Sequence, residues 1–162
     1  MKELIKTTEF TEGTEKLERD PFTGKIIGCA IEVHRTLGPG LLESTYQQCL
    51  ARKLAINKIK FSLEHPLPVE YKVVRLDCGY RIDVLVESEG VPCRLLILEL
   101  KSVEKIQGIH RAQLLTYMKL SNIKTGLLIN FNVYLVKSCC AGTVPIRYIG
   151  IISRGKEIER WY

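Results

Sequence analysis

Two short apolar segments of this 162-residue chain are interrupted by charge, Tyr80-Arg81-Ile82-Asp83-Val84-Leu85-Val86 and Leu96-Ile97-Leu98-Glu99-Leu100-Lys101-Ser102. Strand alternation puts Glu99 and Lys101 on one face of their segment. If the two segments form a hairpin turning around Val91, Asp83 falls directly opposite Glu99. Two carboxylates and an ammonium then share one face, with side chains about 5 Å apart across the ladder. Like charges so placed destabilise a sheet, and burial makes the cost larger. A divalent cation is the simplest compensation. Carboxylate oxygens suit Mg²⁺ or Mn²⁺, and Mg²⁺ keeps several waters and takes a substrate phosphate. Lys101 would then face the water or the phosphate. The same spacing also fits a plain salt bridge between Lys101 and one carboxylate at a sheet edge.

Two further pairs sit at helical spacing. Gly40-Leu41-Leu42-Glu43-Ser44-Thr45-Tyr46 opens a helix, with Glu43 in its first turn and Tyr46 one turn later. An acidic residue there is also favoured simply by the helix dipole. Gln113 and Tyr117 stand four apart among Leu114, Leu115 and Met118, which fits either a site-ordering pair or an ordinary amphipathic boundary. Arg81 precedes Asp83 by two residues. Together with Arg35, Arg52, Lys53, Lys105, Arg111 and Lys119 it offers phosphates a basic track, although each alone reads equally as solvated surface. Tyr46, Tyr80 and Tyr117 suit base stacking or core packing. No zinc finger, helix-turn-helix signature or Gly-rich phosphate loop is present.

The elements that must position these residues follow from periodicity. Apolar residues at Ile26, Ile27, Ala30, Val33 and Leu37 predict a helix over 22–37. Gly38-Pro39-Gly40 ends it, and a second helix is expected over 41–57 on a stripe of Leu42, Tyr46, Cys49, Leu50 and Leu54. Extended segments are expected at 59–64, 69–76, 80–86 and 94–101, then a helix at 106–120. Short strands at 125–129 and 134–137 and an edge strand at 146–152 complete the order. Strands separated by a crossover helix point to an α/β fold with a mixed central sheet flanked by helices.

Composition sets the outer limits. The chain carries 24 Lys plus Arg against 18 Asp plus Glu, a net charge of +6, and 46% of its residues are hydrophobic. That is the make-up of one soluble domain with its own core, and it excludes a disordered polymer or a collagen-like repeat. Residues 1–20 hold a net charge of −2 and the other 142 a net of +8. We therefore expect an N-terminal arm over 1–20 and a single basic domain over 21–162. MKELIKTTEF has no apolar core of a secretory signal, and no apolar run approaches the roughly 18 residues of a membrane span. Of six cysteines none forms a C-x-x-C pair, so buried free thiols and a cytoplasmic location are expected.

Asp83, Glu99-Leu100-Lys101 and Gln113-x-x-x-Tyr117 together resemble the PD-(D/E)XK nuclease superfamily, in its recombination-exonuclease-like branch. Gly40-x-x-Glu43-x-x-Tyr46 resembles the signature of the GxxExxY protein family within it. The resemblance spans about residues 22–137; its one departure is Ile82 where a proline often stands. It implies a restriction-endonuclease-like core and a Mg²⁺- or Mn²⁺-dependent nuclease acting on DNA, or RNA. It further implies that Asp83, Glu99 and the Leu100 carbonyl hold the metal, with Glu43 as a further ligand or base. Lys101 would activate water, while Gln113, Tyr117, Tyr46 and Arg81 would order the site or touch substrate. Two other classes remain open. One is a non-catalytic nucleic-acid-binding or regulatory module on the same fold. The other is an interaction subunit using Cys139-Cys140 or the N-terminal arm toward a protein partner or a second copy.

Overall fold

A computed structural model describes residues 20–90, 92–133, 149–153 and 156–160. The first nineteen residues, the extended piece expected at 134–137, and Cys139-Cys140 lie outside the described residues.

The first helix, α1 (Pro21–Leu37), starts where it does because Asp20 caps it. Its carboxylate accepts from the Thr23 N–H at 3.1 Å and from the Thr23 hydroxyl at 2.7 Å, and Pro21 occupies the first turn, where no N–H is needed. Asp20 also pairs with Arg94 at 2.9 Å, so this last residue of the expected arm is fastened to the domain. The helix stops at Gly38, whose φ of +69° is costly for other residues. The second helix, α2 (Glu43–Ile56), begins two residues later than expected. Leu42 is therefore its extended N-cap and is 74% exposed, not part of the inner stripe. Tyr46, Gln47, Leu50, Ala51 and Leu54 are buried instead.

The strands are β1 (Lys60–Pro66), β2 (Val69–Tyr71), β3 (Val74–Leu76), β4 (Arg81–Glu87) and β5 (Leu95–Lys101). After them come α3 (Gly108–Ser121), β6 (Thr125–Asn130), β7 (Ile149–Ser153) and β8 (Lys156–Arg160). Six strands form one sheet in the order β1-β4-β5-β6-β7-β8, and β2 and β3 form a separate hairpin. The β5–β6 pair is parallel, joined by α3 as crossover, and the other pairs are antiparallel. The sheet is thus mixed, as parallel neighbours require a crossover of this length.

Helices cover both faces of it. Ile26, Ala30, Leu50 and Leu54 of α1 and α2 pack on Val84, Val86, Leu96 and Leu98. Leu114, Tyr117 and Met118 of α3 pack on Leu85, Ile97 and Leu128. Strand β5 is buried at every position after Leu95, which explains its continuous apolar sequence. Gly126 of β6 sits under α3 so closely that an added Cβ would lie 2.7 Å from Leu114 Cδ1 and 3.1 Å from Met118 Sδ. Leu114 is fully buried and has no solvent to swing into. Gly126→Ala should therefore destabilise the fold by about 1–2 kcal/mol in urea unfolding; an unchanged midpoint would mean that α3 shifts freely on the sheet.

Three further expectations differ from the structure. Residues 69–76 are not one extended piece, because Lys72 and Val73 take φ of +47° and +68° and turn the chain back into β2 and β3. A two-residue turn of this kind normally announces itself by Asn or Gly, and neither is there. Strand β7 is not an edge, since β8 pairs outside it. Of the described cysteines, all free, Cys29 is buried and Cys49 half-buried, while Cys78 and Cys93 are exposed. The last two fall in connections, where backbone polar groups keep the chain at the surface. Among the described residues no helix is long and apolar enough to cross a membrane.

Candidate active site

The charged residues of β4 and β5 meet at the end of the sheet where β4 begins and β5 finishes. Val84 faces Leu98 and Glu87 faces Leu95, the register expected from the sequence, in which Asp83 would next face Glu99. The ladder stops there. The Leu100 N–H donates instead to Asp83 Oδ2 at 2.7 Å, so the carboxylate itself takes the place of a backbone acceptor.

The other edge of β4 is interrupted at the same residue. Leu63 pairs with Val84 and His65 with Ile82, while Glu64, between them, sits at a φ of +48°. Into this gap comes the Gln47 amide from α2. Its Nε2 donates to the Asp83 carbonyl at 3.0 Å and to Glu64 Oε1 at 2.5 Å. Asp83 is thus released from regular pairing on both sides and held by side-chain contacts. A non-glycine residue in the left-handed region costs on the order of 1 kcal/mol or more, and such strain gathers at functional sites.

Glu99 is fully buried, with Lys101 Nζ donating to its Oε1 at 2.6 Å. Its Oε2 is also buried and has no partner among the described residues. The salt bridge weighed from spacing alone therefore exists, but in the interior of the sheet and not at an edge. Glu43, in the first turn of α2, lies 3.9 Å from Lys101 Nζ. Two contacts carry α2 to this place: Ser102 Oγ donates to the Leu41 carbonyl at 2.7 Å, and the Tyr46 hydroxyl donates to the Gly38 carbonyl at 2.5 Å. The same hydroxyl accepts from the Leu41 N–H at 3.2 Å. Tyr46 is fully buried, its ring stacked on Phe131 at 4.5 Å, so it orders the turn and has no face to offer a substrate. Asn130, beside Lys101 in the β5–β6 register, clamps the strand-to-helix connection through both the N–H and the carbonyl of Val103.

From α3, Gln113 donates to the Tyr117 hydroxyl at 2.9 Å, and the Tyr117 ring meets Tyr80 edge-on at 6.2 Å. Tyr117 is buried; Arg81 and Tyr80 are exposed. Of the expected basic track, Lys53 of α2 is taken up by Glu32 of α1, while Lys119 lies at the end of α3.

The electrostatics follow from this crowding. Burial, and then the charge of Asp83, push the Glu99 carboxyl up to about 7 against the pull of Lys101. Burial, with Glu43 and Glu64 adding to it, raises Asp83 to about 6 although the Leu100 N–H and Lys101 oppose the rise. For Lys101, burial acts to lower the ammonium, but contact with Glu99 and the charges of Glu43 and Asp83 outweigh it and hold it above the ordinary lysine value. The Tyr117 hydroxyl is raised by burial and, beyond the opposing bond from Gln113, by the Glu99 and Asp83 charges, which places it in the same field. Three carboxylates, those of Glu99, Glu43 and Asp83, act on one ammonium. No set of three or more His, Cys, Asp or Glu side chains is disposed to hold a metal among the described residues. Carboxylate oxygens are hard donors of the kind a divalent cation takes together with water. The partnerless Glu99 Oε2 is an oxygen such a cation would satisfy.

Sequence reasoning does not bring Gln47 and Glu64 to Asp83. Gln47 had a weak signal, standing one turn beyond Glu43 on α2. Glu64 had none until β1 was paired with β4.

A family model described as the PD-(D/E)XK nuclease superfamily matches residues 20–140. No curated protein and no solved structure gives a significant match.

Proposed function

Because the chain belongs to the PD-(D/E)XK nuclease superfamily, we propose that it is a metal-dependent nuclease that hydrolyses phosphodiester bonds in DNA, with Mg²⁺ or Mn²⁺ as cofactor. The observation that carries this reading is the Asp83–Glu99–Lys101 group, half-buried at Asp83 and buried at the other two, in which one carboxylate oxygen of Glu99 is buried and unpartnered among the described residues. A protein that only binds nucleic acid has no use for so costly a cluster.

Asp83 and Glu99 would hold the cation, and the Leu100 carbonyl would join them. The Leu100 N–H already points to Asp83, and the carbonyl of a strand residue leaves on the same side as its N–H. When bound, the cation would polarise a phosphoryl oxygen and favour hydroxide at neutral pH. The protein's own contributions are positional. Asp83 is fixed by the Leu100 N–H on one side and by the Gln47 grip on its carbonyl on the other. Lys101 keeps its proton and stands between Glu99 and Glu43. It can release Glu99 when that carboxylate is neutralised by another cation, and can then face the attacking water or the phosphate. Glu43 is placed to receive Lys101 or to accept a proton from that water. Gln113 and Tyr117 close the α3 side of the site, and Arg81 is available to a backbone phosphate.

The signature Gly40-x-x-Glu43-x-x-Tyr46 supports placing the chain in the GxxExxY family. Gly40 has a φ of +99°, Glu43 reaches Lys101, and the Tyr46 hydroxyl locks the intervening turn. The free thiols agree with a cytoplasmic location.

Purified protein incubated with linear and with circular DNA in Mg²⁺, Mn²⁺ or EDTA tests the proposal. Cleavage is expected with a divalent cation and none in EDTA. Failure of every cation to support cleavage would remove the enzyme reading.

A further inference from the structure

The chain between β1 and β4 forms an arm that the reaction centre does not use. It opens where the Leu67 N–H donates to the Tyr80 carbonyl at 2.8 Å, just beyond the last β1–β4 pair, Pro66 with Arg81. Leu67 is buried and anchors it, and every residue from Tyr71 to Tyr80 is exposed. Five of the eleven exposed large apolar residues among the described residues fall here: Tyr71, Val73, Val74, Leu76 and Tyr80. So dense a patch on a soluble domain marks a contact surface.

The tip is strained as well as bare. Val73 is 94% exposed at a φ of +68°. A β-branched residue is among the least suited to the left-handed region, and glycine or asparagine would make the turn without penalty. Strain that glycine would remove, carried by a side chain that touches solvent, points to a use for that side chain.

Charge and position indicate the occupant. Lys72, Arg75 and Arg81 alternate with the apolar residues and form no ion pair among the described residues. Aromatic and aliphatic surface interleaved with cations is the composition that holds unpaired nucleotides, whose bases offer faces for stacking and whose backbone offers phosphates. A paired duplex keeps those faces hidden. The arm also adjoins the reaction centre: Tyr80 lies three residues before Asp83 and touches Tyr117, which stands in the field of Glu99 and Asp83. Beneath the arm, an open cavity of about 540 Å³ runs between Arg75 on one wall and Lys119 at the end of α3 on the other, with Leu67, Ile82 and Ile123 among its lining. It is large enough for a nucleotide-sized group.

We infer that the β2–β3 arm grips unpaired bases beside the reaction centre, so that the substrate class is single-stranded DNA or duplex with a single-stranded end. The inference rests on the nuclease reading of the site for its substrate, but binding can be measured without cleavage. The full chain carrying Asp83→Asn is titrated with a single-stranded oligonucleotide, an overhang duplex and a blunt duplex, each containing 2-aminopurine, by fluorescence anisotropy and base emission. The first two should bind roughly tenfold more tightly than the blunt duplex, with quenched emission. Adding Val73→Gly should raise the melting temperature and weaken single-strand binding several-fold, and adding Tyr71→Ala should weaken it similarly. Equal affinity for all three DNAs, no binding to any, or arm variants that bind as before would each overturn the inference. So would a Val73→Gly that turns a dimer into a monomer with DNA affinity unchanged, which would make the arm a self-association surface. If the unsubstituted protein cleaves nothing but shows the arm-dependent preference, only the hydrolase reading falls. If it cleaves, and the arm variants leave its strand preference intact, only the arm reading falls.

Discussion

Replacing Asp83 with asparagine should lower DNA cleavage by roughly 10³-fold or more and, in EDTA at pH 8, raise the melting temperature by several degrees. The two effects have one origin. Asp83 is a carboxylate held near another carboxylate in a largely buried place, and its elevated titration, to about 6, measures how poorly its charge is accommodated. Asparagine is nearly the same size, and its carbonyl can keep accepting from the Leu100 N–H, which now binds at 2.7 Å. What disappears is the repulsion that pushes Glu99 up. The rise of Asp83 from the ordinary aspartate range to about 6 corresponds to an upper bound of about 3 kcal/mol above pH 7, when no cation is bound. Cleavage is lost because the remaining carboxylate, Glu99, is committed to Lys101 and cannot hold a cation alone. Activity against plasmid DNA and thermal unfolding in EDTA measure the two halves. An asparagine variant that is markedly less stable in EDTA would show that the charge of Asp83 helps to hold the fold, against the electrostatics above.

Mg²⁺ or Mn²⁺ should stabilise the protein, and more so at pH 8 than at pH 5.5. The sign follows from both carboxylates being raised. Between about pH 4 and 7 the folded chain holds more protons on Asp83 and Glu99 than the unfolded chain does. Their contribution to stability is therefore complete at low pH and is lost as pH rises through about 6 and then about 7. His34 works the other way, because burial lowers its imidazole below the usual value, and its contribution is lost as pH falls below about 6.5. A plain pH scan mixes the two, whereas the cation-induced shift isolates the carboxylates. A cation must displace their protons, so its affinity rises with pH. At a cation concentration a hundred times its dissociation constant the gain is about 2.7 kcal/mol, several degrees in melting temperature. Asp83→Asn should abolish the shift at both pH values. A shift of equal size in that variant, or one independent of pH, would place the cation elsewhere.

Much of this site was legible before any fold was known. Charged residues inside apolar strands are costly, and so Asp83, Glu99 and Lys101 stood out from the sequence as a group needing a reason. Their register was legible too, because a hairpin turning around Val91 sets Val84 opposite Leu98 and brings Asp83 and Glu99 next in line. Glu43 and Tyr46 were marked by the break at Gly38-Pro39-Gly40, which sets where the next helix starts. The arm was not legible, since Lys72-Val73 turns without the residues that usually signal a turn. The partners of Asp83 on its other side were also hidden.

What the sequence alone determined was local. Alternation and helical period decided which residues share a face, and the chain's breakers decided where elements end. Which elements lie side by side was decided only in three dimensions. Strand β1 lies next to β4 and α2 reaches between them, so Gln47 and Glu64 come to Asp83 from 36 and 19 residues away along the chain. The same assembly put β5 in the interior of the sheet, which buries Glu99 and removes the water that would otherwise satisfy its second oxygen. A period of two says that Glu99 and Lys101 point the same way. Only the layers packed on both sides make that direction dry, and dryness turns two carboxylates and a lysine from a surface ion pair into a desolvated charged cluster.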